Sequence, residues 1–252
     1  MKKFCPISIF FIALFGVILT SCSDFTGISN LSVSLNGSDF SQNSSSRNIS
    51  ITPDYEKYYV VVSVLGDYEE IQTLELTNQE TRTIEFSSIP VNSNIYTRVD
   101  VYYLDVIERI IDSCHRFTGT SSKQRIRPGE NQLSISLRNL KPTSYYTSMA
   151  SGNTIGSDDR SYDFAFYENG KYRIIIGQGT LVSEGLWSGG LESGKTISME
   201  ECVFKKDGES ITILDRPVQS IIEVTEPIEE YFDASITFTS LCGLTFALEY
   251  SL

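Results

Sequence analysis

The chain contains very few of the side chains on which most catalytic and metal sites depend. His115 is the only histidine, and cysteine occurs at five positions among 252 residues. A Ser-His-Asp triad and a histidine-rich metal site both require imidazole groups, so a single histidine argues against both kinds of site. Glycine-rich phosphate loops, CxxC pairs and the HExxH pattern are absent as well. We therefore expect no catalytic residues, no metal and no bound cofactor.

Positive charge is also scarce. The chain has 20 Lys and Arg residues against 32 Asp and Glu residues, which gives a formal net charge of −12. Nucleic acids and anionic lipid surfaces both attract proteins through basic faces. The composition thus argues against a nucleic-acid partner and against adsorption of the folded part on a membrane. It is typical of a soluble surface that repels other copies of itself.

Apolar residues with a helical repeat are missing too, since no window of 11 residues shows a clean period of 3.6. Apolar and polar residues instead alternate in short segments that turn-forming residues separate, which is typical of β-strands. The alternating pairs include Leu74 and Leu76, Ile84 and Phe86, Val99 and Val101, and Ile197 and Met199. A continuous apolar run over residues 58–65 predicts one strand that is buried on both faces. We predict an all-β protein.

The N-terminus departs from this pattern, because Met1, Lys2 and Lys3 precede an apolar run over residues 4–20. A charged start, an apolar middle and small residues before a cleavage position are typical of an export signal. The run has 17 residues, which is the lower limit for a helix that spans a bilayer, so a plain transmembrane anchor is the alternative. We favour the export signal because the run ends in small residues and a cysteine.

Residues 19–22 read Leu-Thr-Ser-Cys, and this stretch resembles the lipobox of bacterial lipoproteins. The resemblance implies a signal peptide over residues 1–21, cleavage between Ser21 and Cys22, and a covalent lipid on Cys22. The lipid would anchor the protein to a membrane of the bacterial cell envelope, with the outer membrane favoured and the inner membrane as the alternative. The membrane would then be a partner through the lipid alone.

Residues 22–46 are rich in Ser, Asn and Gly and are typical of a flexible tether. Leu31, Val33 and Leu35 alternate with polar residues within it, which indicates that a first strand interrupts the tether. Residues 47–140 then contain several short predicted strands separated by turn signals, as in a β-sandwich.

An Ile-Pro pair follows a predicted strand within residues 84–91, and Pro128-Gly129 precedes the last strand of this unit. The pattern resembles the fibronectin type III or transthyretin-like sandwiches of secreted bacterial proteins. Asn92 stands at the position where that pattern has glycine. The resemblance implies an Ig/fibronectin III-like sandwich over residues 47–140.

Residues 141–144, Lys-Pro-Thr-Ser, form a predicted linker, and a second series of strands follows over residues 145–252. Asn169-Gly170 between alternating segments predicts a tight hairpin whose two central residues both have positive φ. This hairpin, the Gly-Trp segment at Trp187 and a later Gly-Lys-Thr-Ile segment resemble small lipocalin-like barrels of bacterial lipoproteins. The resemblance implies an up-and-down β-barrel, which is either filled by side chains or holds one small ligand.

The aromatic side chains of this second unit are the candidate lining of a pocket for a small apolar ligand; they are Trp187, Phe164, Phe166 and Tyr172. The alternative, which we favour, is that the same rings pack together and fill the barrel interior, so that no pocket remains.

The cysteines and the histidine offer two further candidate pairs. Cys202 and Cys242 lie in the same half of the chain, so a disulfide between them is one alternative in an oxidising compartment. We favour the other alternative, in which both are buried thiols. Cys114 and His115 are neighbours on a predicted strand, where adjacent side chains point to opposite faces. We expect a buried cysteine beside an exposed histidine rather than a Cys-His pair.

The acidic residues of the C-terminal half form two groups. The first precedes the hairpin and consists of Asp158, Asp159 and Asp163. Its spacing does not match an EF-hand, so we expect a solvated loop and not a calcium site. The second group surrounds Pro227 and consists of Glu226, Glu229 and Glu230. These carboxylates are the candidates for an acid–base pair in glycoside cleavage, although an exposed charged turn is favoured.

We predict a lipid-anchored, non-catalytic protein that acts as a ligand-binding or interaction module. The first alternative is a structural or adhesive protein whose sandwich binds surface macromolecules. Its tyrosines would then stack on sugars or peptides, whereas cross-strand pairing and core filling are the favoured roles for Tyr58, Tyr59, Tyr102 and Tyr103. A carboxylate-dependent hydrolase is the least favoured alternative.

Overall fold

The computed structural model describes residues 27–40, 57–103, 114–133, 135–140, 148–177, 179–192, 194–206, 210–223 and 234–250. Ser21, Cys22, residues 141–144 and the carboxylates at 226, 229 and 230 lie outside these described residues. Apart from one 3-10 turn, every described element is a β-strand, which confirms the predicted all-β class. No helix in the described part of the chain is long and apolar enough to cross a membrane.

The N-terminal unit is a sandwich of two β-sheets. One sheet has the strand order β4-β1-β8, and the other has the order β3-β2-β5-β6-β9, with β7 paired to β5. All neighbouring strands run antiparallel except β1 and β8. The elements are β1 (Ile28–Asn36), a 3-10 turn (Gly37–Asp39), β2 (Lys57–Gly66), β3 (Glu70–Thr77), β4 (Thr81–Pro90), β5 (Asn94–Tyr103), β6 (His115–Thr120), β7 (Gln124–Arg125), β8 (Glu130–Gln132) and β9 (Arg138–Asn139).

Strand β2 is buried on both faces, as its continuous apolar run predicts. Val60, Val62 and Val64 point into the core between the two sheets of the sandwich. Val61 points the other way, into a second apolar cluster that contains residues of the C-terminal unit. The central sheet of the molecule is therefore covered on both sides.

Strand β1 lies inside the range that composition assigned to the tether. Leu31, Val33 and Leu35 alternate toward the sandwich core, as their spacing predicts, and are almost completely buried. The strand pairs with β4 on one side and β8 on the other, so it is the central strand of its sheet. The sandwich thus begins before residue 47, because burial of an alternating apolar face outweighs the polar composition around it.

The C-terminal unit consists of a six-stranded sheet and a separate two-stranded hairpin. The sheet has the order β10-β11-β12-β13-β14-β15, in which each strand pairs antiparallel with the next, and the hairpin is β16-β17. The strands are β10 (Ser148–Ile155), β11 (Ser161–Tyr167), β12 (Lys171–Ile176), β13 (Thr180–Gly189), β14 (Thr196–Lys205), β15 (Ile211–Glu223), β16 (Ala234–Thr239) and β17 (Thr245–Tyr250).

The hairpin predicted at Asn169-Gly170 joins β11 to β12, but its turn differs from the expected type. Three residues separate the strands, and of the central Asn-Gly pair only Gly170 has positive φ, at 81°. The backbone of Asn169 is not left-handed, and its side-chain oxygen accepts a hydrogen bond from the Lys171 amide. A three-residue loop that ends in a left-handed glycine is the next most common hairpin connection.

The up-and-down strand order is present, but the described strands do not close into the expected barrel. Strand β17 approaches the end of β10 through one isolated bridge, between Phe246 and Gly156, the residue that directly follows β10. Nearby, the Ser157 amide donates to the Thr245 carbonyl at 2.9 Å. Between β15 and β16 no ladder joins the described residues. The hairpin therefore packs over the six-stranded sheet as a separate layer, with the aromatic core between them.

The two units pack against each other through a shared apolar cluster. Val61, Tyr102 and Cys114 of the sandwich contact side chains on the outer face of the six-stranded sheet, which are Leu181, Cys202 and Val203. The molecule thus contains four β layers with three apolar clusters between them. The contact between the two units also contains buried charged side chains.

Candidate functional site

The outer face of β5 carries charge into the contact between the two units. Val99 and Val101 face the sandwich core, whereas Arg98 and Asp100 lie on the opposite face, as the alternation predicts. That face is covered by the C-terminal unit, so Asp100 is only 2% exposed. Arg98 also crosses the contact, with its Nη1 3.0 Å from Glu200 Oε2 on β14.

Asp100 is held by three donors. The Arg98 Nε lies 2.7 Å from Oδ2, and the Thr118 hydroxyl donates to Oδ1 at 2.7 Å. The His115 Nε2 lies 3.1 Å from the same Oδ1 atom. Burial by itself raises the pKa of Asp100, but the partners His115 and Arg98 outweigh it and lower the pKa to about 2. Because an ionised carboxylate only accepts, His115 carries its proton on Nε2 in this contact.

His115 is completely buried, so the expectation of an exposed histidine is wrong. The β5–β6 ladder contains a β-bulge in which Arg116 is the extra residue. Val101 pairs with Phe117, and the next residue of β5, Tyr102, pairs with His115. This bulge turns the imidazole toward the C-terminal unit, where it stacks on the Tyr102 ring at 4.6 Å between centroids. Burial lowers the pKa of His115, and the nearby Asp100 opposes this effect.

Glu184 on β13 is the matching acidic group of the C-terminal unit and has no exposed surface. Its Oε1 lies 3.0 Å from Lys171 Nζ, and its Oε2 lies 3.4 Å from Arg173 Nε. Oε1 also accepts a hydrogen bond from the His115 amide at 2.8 Å. Lys171 in turn donates to the His115 carbonyl. One strand of the sandwich, β6, is thereby hydrogen bonded to two strands of the other unit.

We call Asp100, His115, Lys171, Arg173 and Glu184 the junction cluster. Burial lowers the pKa of Lys171 to about 8, against the opposing effect of Glu184. Each member is nearly or completely buried. Burial raises the pKa of the neighbouring Cys114 thiol. The junction cluster thus contains ion pairs and joins the two units through hydrogen bonds.

A groove of about 300 Å³ lies on the outer face of β10, β11 and β12, next to the junction cluster. Its central positions are in register across the sheet: Ser151 pairs with Ala165, and Ala165 pairs with Arg173. Small side chains at the first two positions leave the concave space. Tyr167 and Ile175 form apolar parts of the wall.

Arg173 connects the groove to the junction cluster. Its side chain lines the groove although it is only 3% exposed, and its Nε lies 3.4 Å from Glu184 Oε2. Asp163 and Asn153 lie in the next row along the strands and place polar groups at the exposed rim. The groove therefore combines an apolar wall, one oriented guanidinium and a carboxylate at its edge.

The four aromatic residues predicted to line a barrel pocket lie together in the core on the other face of this sheet. Phe166 contacts the ring of Trp187 at 5.3 Å and the ring of Tyr172 at 6.4 Å between centroids. The Trp187 indole donates to the Tyr167 carbonyl, and the Tyr172 hydroxyl pairs with Ser183. These rings pack on one another, and Phe164 alone also contributes to the groove.

Cys202 and Cys242 do not form the disulfide that the sequence left open. Cys202 on β14 faces the cluster between the two units, whereas Cys242 packs against the aromatic core. The six-stranded sheet lies between these two clusters, so the thiols point to opposite sides of it. Cys114 is also unpaired by disulfide and belongs to the contact between the units.

The acidic loop before β11 is held by local partners. Asp158 accepts hydrogen bonds from the Arg160 side chain and, at 2.8 Å, from the Tyr162 hydroxyl. Asp159 has a left-handed backbone with φ of 61°. Within the described residues, no group of three His, Cys, Asp or Glu side chains is arranged to hold a metal ion.

The tyrosines of the sandwich pair across strands, which is the role that the sequence favours. Tyr58 contacts Tyr103, and Tyr59 contacts Tyr102, with ring centroids 6.0 and 6.5 Å apart. Each pair consists of residues directly opposite in the β2–β5 ladder. Tyr58 lies in the sandwich core and Tyr102 in the contact between the units, so neither offers an open ring face to a macromolecule.

Sequence reasoning did not identify the groove and junction residues, because strand alternation places Lys171 and Arg173 on the face of β12 that points away from the aromatic core. One signal was available in the sequence. Ile175 shares that face with the two cations, and Leu186 pairs directly with Lys171 in the next strand. A face that mixes apolar and charged residues is more typical of a covered surface than of a solvated one.

No family model matches the chain, and comparison with curated proteins and with solved structures likewise finds no match.

Proposed function

We propose that the chain is a lipid-anchored, non-catalytic binding module of the bacterial cell envelope. Its binding surface is the groove over β10, β11 and β12. The junction cluster joins this sheet to the sandwich, which lies between the groove-bearing unit and the N-terminal tether. The anchor rests on the resemblance of residues 19–22 to a lipobox.

The observation that carries the proposal is the position of Arg173. A guanidinium that is 3% exposed, lines a concave surface and lies 3.4 Å from a buried carboxylate has few rotamers to lose when a ligand binds. Most small-molecule sites share this design, with an apolar wall and a small number of fixed polar groups. The volume of about 300 Å³ lies at the lower end of such sites.

The burial of the acid–base groups next to the groove supports a non-catalytic role. His115 and Asp100 are the one buried imidazole–carboxylate pair of the described chain, and both lie under the contact between the units. A general base must come within hydrogen-bond reach of a substrate proton. The apolar cluster around Tyr102 and Cys202 prevents that approach.

Filling the groove tests the binding function. Ala165 lies at its centre and is half-buried, so Ala165→Trp places an indole in the space without removing a charge. We expect small-molecule fragments to shift NMR resonances of β10, β11 and β12 in the wild type and not in Ala165→Trp. Ser161→Trp is the matched control, since Ser161 is exposed, lies on the same strand face and is not among the groove residues. A wild type that binds no fragment in the groove, at millimolar concentrations, would contradict the proposal.

Replacing the lipidated cysteine tests the anchor. We expect Cys22→Ala to lose acyl labelling and to leave the membrane fraction, because the folded part is acidic and has no other membrane contact in the proposal. Cys5→Ala is the matched control, as Cys5 lies in the signal peptide and would leave the protein's labelling unchanged. Metabolic labelling with a fatty-acid analogue measures both variants, and equal labelling in Cys22→Ala would refute the anchor.

A further inference from the structure

One row of the groove lining consists of three side chains that are in register across β10, β11 and β12. Asn153 pairs with Asp163, and Asp163 pairs with Ile175. Residues directly opposite in an antiparallel ladder have Cβ atoms about 5 Å apart, so their side chains stand next to each other on the same face. An amide, a carboxylate and an apolar side chain therefore lie side by side along the groove.

The two polar members of this row are available to a ligand. Asn153 and Asp163 are both exposed. Within the described part of the chain, neither side chain makes a hydrogen bond or an ion pair, although the two residues are direct cross-strand neighbours. An amide side chain both donates and accepts, and a carboxylate accepts on two oxygens. This part of the groove thus presents unused donors and acceptors beside the apolar side chain of Ile175.

The two charged groups of the lining have opposite signs. Asp163 is exposed, whereas Arg173, in the next row, is 3% exposed and lies beside Glu184. An anion in this small groove would lie close to the Asp163 carboxylate, and a cation would lie close to the guanidinium. Like charges repel at short range, so the lining favours a ligand without net charge.

We propose that the groove takes a neutral ring that carries several hydroxyl groups, as sugar residues do, and that Asp163 and Asn153 bind these hydroxyls. The proposal rests on the binding function proposed above and names its ligand class. Hydroxyl groups donate to the Asp163 carboxylate in charge-assisted hydrogen bonds, which are stronger than those between neutral groups. The Asn153 amide donates to and accepts from the neighbouring hydroxyls. The apolar C–H face of the ring packs on Ala165 and Ile175.

A matched series of ring compounds tests the ligand class on the full-length protein. Each probe contains a cyclohexane ring. In scyllo-inositol every carbon has an equatorial hydroxyl, cyclohexanol has a single hydroxyl, and cyclohexanecarboxylate and cyclohexylammonium each carry one charge at pH 7. We expect NMR titration to give a dissociation constant about tenfold lower for scyllo-inositol than for cyclohexanol, as one hydrogen bond to a charged group provides. The two ions should bind no more tightly than cyclohexanol.

Two substitutions assign the preference to the polar pair. Asp163→Ala removes both acceptor oxygens, so scyllo-inositol should bind about tenfold more weakly while cyclohexanol is unchanged. Asn153→Ala should weaken scyllo-inositol about threefold, because hydrogen bonds to a neutral group contribute less. Both positions are exposed, so the strands should remain folded. Asp215→Ala, at an exposed carboxylate of β15 that is not among the groove residues, is the matched control and should change neither dissociation constant.

The outcomes separate the ligand class from the binding function. Equal affinity for scyllo-inositol and cyclohexanol, or tighter binding of either ion, would overturn the ligand class and leave the groove as a binding site. A preference for scyllo-inositol that persists in both Asp163→Ala and Asn153→Ala would overturn the assignment to these side chains. If neither this series nor any other fragment shifts the resonances of β10, β11 and β12, both proposals fail.

Discussion

Glu184 is the residue through which the two units are hydrogen bonded most directly. It receives the backbone amide of His115 from the sandwich and two side-chain cations from its own sheet. A buried carboxylate is costly unless its oxygens are satisfied, so this set of donors fixes the position of β6 against β12 and β13. Oε2 of the same carboxylate lies 3.4 Å from the Arg173 Nε at the groove. In the proposed function, binding and assembly of the units would both depend on Glu184.

His115 shows how far a single residue can be predicted. Its neighbour Cys114 is buried, as expected, and strand alternation then placed the imidazole in solvent. The alternation failed because a bulge adds Arg116 to β6 and because a second unit covers the strand. Both causes involve residues far away in sequence, which a local pattern does not contain.

The buried imidazole predicts a pH dependence of stability at the residue scale. Burial lowers the pKa of His115 below its ordinary value of about 6.5, so the unfolded chain binds this proton first as the pH falls. Stability is then highest above about pH 7 and decreases below about pH 6.5, by about 1 kcal/mol per pH unit until the folded protein also protonates. Chemical denaturation between pH 5 and 8 measures this slope.

His115→Gln is the control for that slope, because glutamine keeps a donor for Asp100 and does not titrate. His115 is the only histidine of the chain, so no other imidazole contributes in this range. Burial raises the pKa of Glu201, which acts in the opposite direction, and the comparison cancels it because the residue is present in both proteins. Identical pH profiles for wild type and variant would show that burial does not depress this group.

At the scale of elements, local patterns predict most of the strands and some of their turns. The alternation at Leu31, Val33 and Leu35 predicts β1 despite its polar surroundings. Asn92, which stands where the resembling pattern has glycine, adopts φ of 73°. Asparagine tolerates this left-handed region better than most residues, so the turn is kept without glycine. The Asn-Gly hairpin is also present, with a longer loop than expected.

The arrangement of the strands into layers was less predictable, and with it the candidate site. A barrel and a stack of sheets share the same up-and-down order, since closure depends on how the last strand meets the first. Here one bridge, between Phe246 of β17 and Gly156 directly after β10, is the contact between the last and first strands, so the sheet does not close into a barrel. The groove depends on the small side chain of Ala165, which lies between larger neighbours only because three strands are in register. Register and layer order are properties of the whole chain.

At the scale of the whole molecule, the acidic net charge affects which ligands and surfaces approach the protein. A net charge of −12 disfavours the approach of anions over long distances, although salt screens this effect. We expect the same balance to disfavour adsorption of the folded layers on an anionic membrane, so that the proposed lipid on Cys22 would be the sole attachment.

The most direct test of this account is a crystal structure of the protein soaked with small-molecule fragments at millimolar concentration. We expect a fragment over Ala165, against Tyr167 and beside the Arg173 side chain. The contacts of Glu184 with Lys171 and His115 should be unchanged, because the groove is already formed. A groove that stays empty with every fragment, in crystals whose packing leaves it open, would contradict the account.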